Sequence, residues 1–118
     1  MKIVIYGHGH EREEFCSLLE IQTSLAFRQA EYIFCEDYDD FIKTISDTEY
    51  DLIIVAVDGA IGMEGVIASK NIRPDTAVIW FSDDKAFGAQ SYRLGCSYFS
   101  VKPVTDEVLS NAIHGTLK

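Results

Sequence analysis

The chain has 118 residues, the length of one ordinary domain, so we expect residues 1–118 to form a single domain around one core. Hydrophobic residues make up 47% of the chain and charged residues 25%, a composition that excludes a disordered or low-complexity protein. With 19 acidic and 10 basic residues, the formal net charge is −9. Such a surface repels phosphate backbones and anionic lipids, which argues against direct binding to nucleic acids or membranes.

The cysteines and the N-terminus both indicate a cytoplasmic protein. Cys16, Cys35 and Cys96 are odd in number and lack C-x-x-C spacing, so we expect buried, free thiols in a reducing compartment. The apolar run in "MKIVIYG" is too short for a signal peptide, and no stretch of the sequence is long enough to span a membrane.

Five apolar runs have the length and the β-branched and aromatic composition of strands. In chain order they are 2–6, 31–36, 51–57, 76–82 and 97–101. Apolar residues at helical spacing lie between them and after the last, at 15–22, 38–45 and 108–113, with weaker, glycine-containing helices predicted at 62–71 and 84–94. This alternation predicts an α/β fold in which helices cover both faces of a parallel sheet.

Polar residues are placed to cap two of the predicted helices, and the predicted sheet indicates which loops should hold a site. Thr105 is placed to cap the last helix, and Asp37 or Asp39 to cap the second. In open parallel sheets, function lies beyond the carboxyl ends of the strands. The loops to inspect are therefore 7–11, 58–62, 82–84 and 102–103.

Three segments carry a resemblance to a known family: "YDLIIVAV…GMEG", "AVIWFSDD" and "LGCSYFSVKPVTDEVLSNAI". In order and spacing, they resemble the receiver domain of bacterial two-component response regulators over nearly the whole chain. The resemblance implies a doubly wound, flavodoxin-like fold with five helices and strand order 2-1-3-4-5. The stretch "FSDDKAFGAQSYRLGCSYFSVKP" is most similar to receivers of LytTR-type regulators.

The resemblance also assigns roles to individual residues. Lys102 takes the place of the family's lysine at the end of the fifth strand, and the bond that follows, to Pro103, is expected to be cis. Ser82 matches the family's Ser/Thr position, and Phe99 matches its aromatic switch position.

The chain departs from the family at the residues that carry phosphotransfer. In receivers, an acidic pair after the first strand and an aspartate ending the third hold Mg²⁺, and that aspartate attacks a phosphoryl donor. Here Gly7 and His8 replace the pair, and the acceptor position, five residues after Asp51, is Ala56. We therefore expect a pseudo-receiver that has lost Mg²⁺ binding and has no enzymatic activity.

Three other functions remain open for this pocket. Asp58 lies two residues beyond Ala56, roughly 6–7 Å along a strand, and a bulge could bring it into the acceptor's place. A small anion could occupy the less negative pocket near Gly7 and His8. A transition metal could bind His8 and His10 together with a carboxylate such as Glu11 or Asp58.

The sequence disfavours two further functions, dinucleotide binding and hydrolysis. The stretch "GHGHE" fails the dinucleotide pattern because Arg12 occupies the position of its third glycine. Ser82 with His8 lacks the orienting group that a nucleophile and base require. If the pocket has become structural, Lys102 should point inward and pair with Asp58 or Asp83.

The expected partners are proteins. Tyr92 and Tyr98 near the fourth helix and fifth strand form a candidate homodimer face, as the corresponding surface does in the family. Family members usually carry an output domain, often DNA-binding, and the sequence reaches Lys118 just after the fifth helix. Two alternatives remain: a module that regulates an attached or partner output domain, or a domain that works alone.

Overall fold

The computed structural model describes residues 1–25 and 30–116. The strands are β1 (Lys2–Gly7), β2 (Glu31–Cys35), β3 (Leu52–Ala56), β4 (Ala77–Ser82) and β5 (Tyr98–Val101). The helices are α1 (Arg12–Leu25), α2 (Tyr38–Asp47), α3 (Gly59–Ile72), α4 (Gly88–Leu94) and α5 (Asp106–Thr116). Short 3₁₀ turns precede α1 at Gly9–Glu11 and α4 at Lys85–Phe87.

The five strands form one parallel sheet in the order β2-β1-β3-β4-β5, as predicted. The central strand β3 is fully buried along its length because helices cover both faces of the sheet. In the pairing of β1 with β3, Gly7 lies opposite Ala56. Two of the three positions at which the sequence departs from the resemblance, Gly7 and Ala56, are therefore neighbours at the carboxyl edge of the sheet.

Alternation along the strands divides the core into two layers. Ile54 and Ala56 face α1 and α5, in a cluster that includes Phe15 and Leu109. Val55 and its neighbours on that face pack against α2, α3 and α4 in a second cluster. No helix in the described part of the chain is long and apolar enough to cross a membrane.

Both predicted helix caps are present in the structure. The Asp37 carboxylate accepts a hydrogen bond from the Asp40 N–H at 3.1 Å, and the Thr105 hydroxyl accepts one from the Val108 N–H at 3.2 Å. Each side chain satisfies a backbone donor that the first helical turn leaves without a partner.

Three predictions about local structure need correction. The expected loop 58–62 is mostly helix, because α3 begins at Gly59, whose φ of +72° lets the chain turn at once out of β3. The helix predicted at 84–94 is shorter, since a 3₁₀ turn precedes α4. Cys16 and Cys96 are only partly buried, whereas Cys35 is buried, and all three thiols are free.

Candidate functional site

The loops that follow β1, β3 and β5 meet around the ammonium group of Lys102. Its Nζ lies 2.7 Å from Glu11 Oε1, 2.9 Å from Asp58 Oδ1 and 2.7 Å from the carbonyl oxygen of Ala56. The Lys102 side chain is only 12% exposed, so these three oxygens largely replace water around the ammonium. Lys102 thus points inward and pairs with Asp58, one of the two partners expected from the sequence.

The backbone around β5 fixes where this lysine enters the site. The Lys102 N–H donates to the carbonyl oxygen of Ser82 at the end of β4, at 2.8 Å. The Lys102–Pro103 peptide bond is cis, as the resemblance implied. The side chain therefore starts from a backbone position tied to the neighbouring strand.

Asp58 occupies the N-cap position of α3, yet its side chain makes no capping hydrogen bond. One carboxylate oxygen approaches Lys102, at an angle that does not form a hydrogen bond, so that attraction is mainly Coulombic. The other oxygen, Oδ2, lies 3.3 Å from His8 Nε2. The Asp58 N–H donates to the same His8 nitrogen at 3.1 Å, so His8 contacts both the backbone and the side chain of Asp58.

Ala56, which the sequence resemblance matches to the phosphoacceptor of receivers, is part of the core. Ala56 is fully buried, and a Cβ built on the neighbouring Gly7 would lie 3.0 Å from the ring of Phe34 and 3.7 Å from the Ala56 methyl group. The Phe34 ring therefore closes the space beside the ends of β1 and β3. The Arg12 guanidinium lies over that ring, 5.9 Å from its centroid.

These residues do not fit a Mg²⁺ ion of the kind that receivers hold. Mg²⁺ takes oxygen ligands, usually including carboxylates, but Gly7 and Ala56 offer no side-chain oxygen and His8 offers only nitrogen. The nearby carboxylates, Glu11 and Asp58, are both engaged by Lys102.

Ser82 is fully buried at the end of β4 and is committed to its own loop. Its hydroxyl donates to Asp83 Oδ1 at 3.3 Å and accepts a hydrogen bond from the Asp84 N–H at 3.2 Å. Asp83 Oδ1 also accepts from the Gly59 N–H at 3.3 Å, which links this loop to the start of α3. Ser82 therefore borders the Lys102 site without contacting the ammonium.

Phe99 packs inward against the single tryptophan of the chain. The Phe99 ring makes an edge contact with Trp80, with 5.3 Å between centroids, and Phe87 lies 5.2 Å from Trp80 on another side. Trp80 is fully buried, and its indole N–H has no hydrogen-bond partner. Phe99, which the resemblance matches to the family's aromatic switch position, is thus joined by a ring contact to the strand that ends at Ser82.

The two tyrosines predicted to form a dimer face differ in exposure. Tyr92 on α4 is 88% exposed, whereas Tyr98 on β5 is partly buried and packs against the core layer under α1 and α5. Tyr92 is therefore the tyrosine of the two that is free to contact a partner.

The raised pKa values of Cys35, Cys96 and Tyr6 keep these side chains neutral at physiological pH. Burial raises the pKa of the Cys96 thiol to about 11, although Lys70 acts in the opposite direction. Burial also raises the pKa of Cys35 and of Tyr6, and Asp37 adds to the effect on Tyr6. These two cysteines are poor candidates for nucleophiles, because the thiolate is the reactive form.

Within residues 1–25 and 30–116, the side chains are not arranged to support metal binding or hydrolysis. No group of three His, Cys, Asp or Glu side chains in these ranges is placed to hold a metal ion. His8 and His10 do stack, with 5.5 Å between ring centroids, but Glu11 pairs with Lys102 and the Asp58 carboxylate lies between Lys102 and His8. The Ser82 hydroxyl contacts Asp83 and Asp84.

Sequence reasoning missed two contributors to the site. Glu11 was considered as a metal ligand but not as a partner of Lys102, and Phe34 was assigned no role. The signal for Glu11 was its position in a loop at the carboxyl edge of the sheet, where the predicted topology also places Lys102. Local sequence gives no signal for Phe34, since its place over Gly7 depends on the pairing of β1 with β2.

The sheet order, the five helices and the inward lysine at the end of β5 define the fold of response-regulator receiver domains. No family model matches the sequence, and no curated protein matches it. Solved structures do match, over nearly the whole chain.

One similar structure is the signal receiver domain of a two-component histidine kinase from Clostridium thermocellum, with a TM-score of 0.79 and 20% identity over 99% of this chain and 97% of that one. Another is the response regulatory domain of protein mrkE from Klebsiella pneumoniae, with a TM-score of 0.80 and 16% identity over 99% and 95%. A third is a LuxR family DNA-binding response regulator from Silicibacter pomeroyi, with a TM-score of 0.76 and 24% identity over 97% and 88%.

Proposed function

We propose that this chain is a receiver domain that signals through protein contacts and does not accept a phosphoryl group. The observation that carries the proposal is the buried methyl group of Ala56 at the acceptor position, beside Gly7, where the ring of Phe34 fills the neighbouring space. A methyl group cannot attack phosphorus, and the residues around it do not suit Mg²⁺. The domain is thus proposed to have no enzymatic activity.

The ion pairs of Lys102 support the same conclusion. In a phosphorylating site, a lysine and a metal ion neutralise the charge of the transferred group. Here the lysine's charge is already balanced by Glu11 and Asp58, so an incoming phosphoryl group or other anion would have to displace a carboxylate. This arrangement also disfavours the alternative of a small anion bound near Gly7 and His8.

The competing function is phosphoacceptance on Asp58. In its favour, the Asp58 carboxylate lies 2.9 Å from Lys102 and is 36% exposed, so a small donor could reach it. Against it, both oxygens already face cations or a hydrogen-bonding ring, and Gly7 and His8 supply no acidic pair for a metal. Asp58 is better explained as the structural partner of Lys102 and His8.

A phosphodonor assay separates the two functions. The protein is incubated with Mg²⁺ and phosphoramidate and its intact mass is measured, alongside Asp58→Asn and the exposed control Asp39→Asn. We expect no phosphoryl adduct on the unaltered protein. A stoichiometric adduct that Asp58→Asn abolishes and Asp39→Asn retains would overturn the proposal.

The proposed partners are a second copy of this chain and an output domain, attached or separate. Receiver domains with this fold occur in DNA-binding regulators, such as the similar protein from S. pomeroyi. On this chain, Tyr92 is 88% exposed on α4, and Val101 is 38% exposed on the edge strand β5. We expect Tyr92→Glu to lower the self-association measured by sedimentation equilibrium, and an unchanged association would remove Tyr92 from the interface.

A further inference from the structure

His8 Nε2 lies within reach of two groups of one residue that require opposite protonation states. The Asp58 N–H, at 3.1 Å, needs a lone pair on that nitrogen, whereas the Asp58 Oδ2 atom, at 3.3 Å, needs a proton on it. A ring nitrogen of histidine either accepts a hydrogen bond or donates one. The contact between His8 and Asp58 therefore has two mutually exclusive forms.

We propose that His8 is a proton-operated latch on the junction between β3 and α3. Neutral His8, with its proton on Nδ1, accepts the hydrogen bond of the Asp58 N–H. Protonated His8 releases that N–H and donates to the Asp58 carboxylate instead. Histidine is the side chain that ordinarily changes charge between about pH 5 and 8, which sets the range over which the latch is tested.

The charged groups around His8 permit both forms. The charged groups near it come from every neighbouring loop: Asp58 after β3, Glu11 and His10 in the first 3₁₀ turn, Glu36 after β2 beside Gly9, Lys102 after β5 and Asp83 after β4. The carboxylates attract a protonated ring, while Lys102 and a protonated His10 oppose it. The His8 side chain is 33% exposed, so water can deliver the proton.

The latch acts on a short segment in which the Asp58 side chain is paired with Lys102 and the backbone is held at two N–H groups. Between β3 and α3, the Asp58 N–H is held by His8, and the Gly59 N–H is held by Asp83. Gly59 has a φ of +72° and stands at the first position of α3, and Ile61 in the first turn is 55% exposed. Releasing the Asp58 N–H frees one of these two anchors, so the apolar surface at the start of α3 becomes sensitive to pH.

This inference rests on the proposed function, because an Asp58 that carried a phosphoryl group could not pair with His8. It supplies a form of regulation that needs neither Mg²⁺ nor a phosphodonor. The proposed function and the latch are tested independently. Phosphoryl uptake is measured by mass at one pH, whereas the latch is measured across a range of pH without any phosphodonor.

The test is a titration from pH 5 to 8 followed by ¹H–¹⁵N NMR of the backbone amides and the histidine rings. We expect the amides of Asp58 and Gly59 to shift with the same midpoint as the His8 ring, and neutral His8 to carry its proton on Nδ1. In His8→Gln, whose amide oxygen accepts a hydrogen bond at every pH, that midpoint should vanish from both amides. In His114→Gln, on the distant helix α5, it should remain.

Either of two results would overturn the latch. One is a neutral His8 that carries its proton on Nε2, since that form cannot accept the Asp58 N–H. The other is an Asp58 amide that shows no His8 midpoint, or that titrates equally in His8→Gln. If His8→Gln does not fold, the ring tautomer and the shared midpoint in the unaltered protein still decide the question.

Discussion

At the scale of single residues, Lys102 connects three loops of the site. Its ammonium contacts Glu11, Asp58 and the carbonyl oxygen of Ala56, in a side chain that is 12% exposed. These partners lie 91, 44 and 46 positions away in the sequence, so the lysine joins parts of the chain that meet only in the folded state. The ammonium is held by oxygens from three separate segments of the chain.

Replacing this lysine should therefore weaken the fold. Lys102→Met leaves two carboxylates and a carbonyl oxygen facing one another without a cation, and we expect the free energy of unfolding to fall by about 1–3 kcal/mol. The matched control is Lys85→Met in the exposed second 3₁₀ turn. This substitution should change the free energy of unfolding by less than about 0.5 kcal/mol. Urea denaturation measures both, and equal effects would show that the ion pairs contribute nothing measurable.

At the scale of elements, α3 shows why a glycine-rich segment becomes a helix. A Cβ on Gly62 would overlap the carbonyl oxygen of Val57, and one on Gly65 would lie 3.0 Å from the Tyr6 ring. These two glycines let the helix lie directly against β1 and β3. Their low intrinsic propensity is outweighed by packing that a larger residue would prevent.

Gly62→Ala tests this account of α3. The added methyl group meets backbone that cannot move aside, so we expect the free energy of unfolding to fall by about 1–3 kcal/mol despite the better helix propensity of alanine. Gly115→Ala in α5 is the control, because no atom lies within 4 Å of its added Cβ, and it should be neutral or slightly stabilising. Thermal or urea unfolding measures both variants. If Gly62→Ala proved more stable than Gly115→Ala, close packing would not explain the glycine in α3.

The same helix marks the limit of what the sequence could predict. Alternating strands and helices, the caps at Asp37 and Thr105, and the burial of β3 all depend on local patterns, and all were found. The start of α3 at Gly59 was missed, because helix propensity counts glycines against a helix and takes no account of packing. The contact of Lys102 with Glu11 was missed for a related reason: it depends on which loops meet in space.

At the scale of the whole molecule, the fold is that of receiver domains, and the residue that the resemblance matches to their phosphoacceptor lies in the core. The sheet has the order β2-β1-β3-β4-β5, and the Trp80 and Phe99 rings are in contact. Ala56 is buried next to Gly7, whose neighbour on the other strand is Phe34. A net charge of −9 and an exposed Tyr92 are consistent with a module that acts on proteins. We propose that such a domain signals without aspartyl phosphate.

Titration with Mg²⁺ and beryllofluoride, a mimic of aspartyl phosphate, tests that claim most directly. Trp80 is the single tryptophan, lies two residues before Ser82 on β4 and contacts Phe99, so its fluorescence should report a filled pocket. We predict no saturable change at millimolar Mg²⁺, in the unaltered protein or in Asp58→Asn. A saturable change that Asp58→Asn abolishes would contradict the account and make Asp58 the phosphoacceptor.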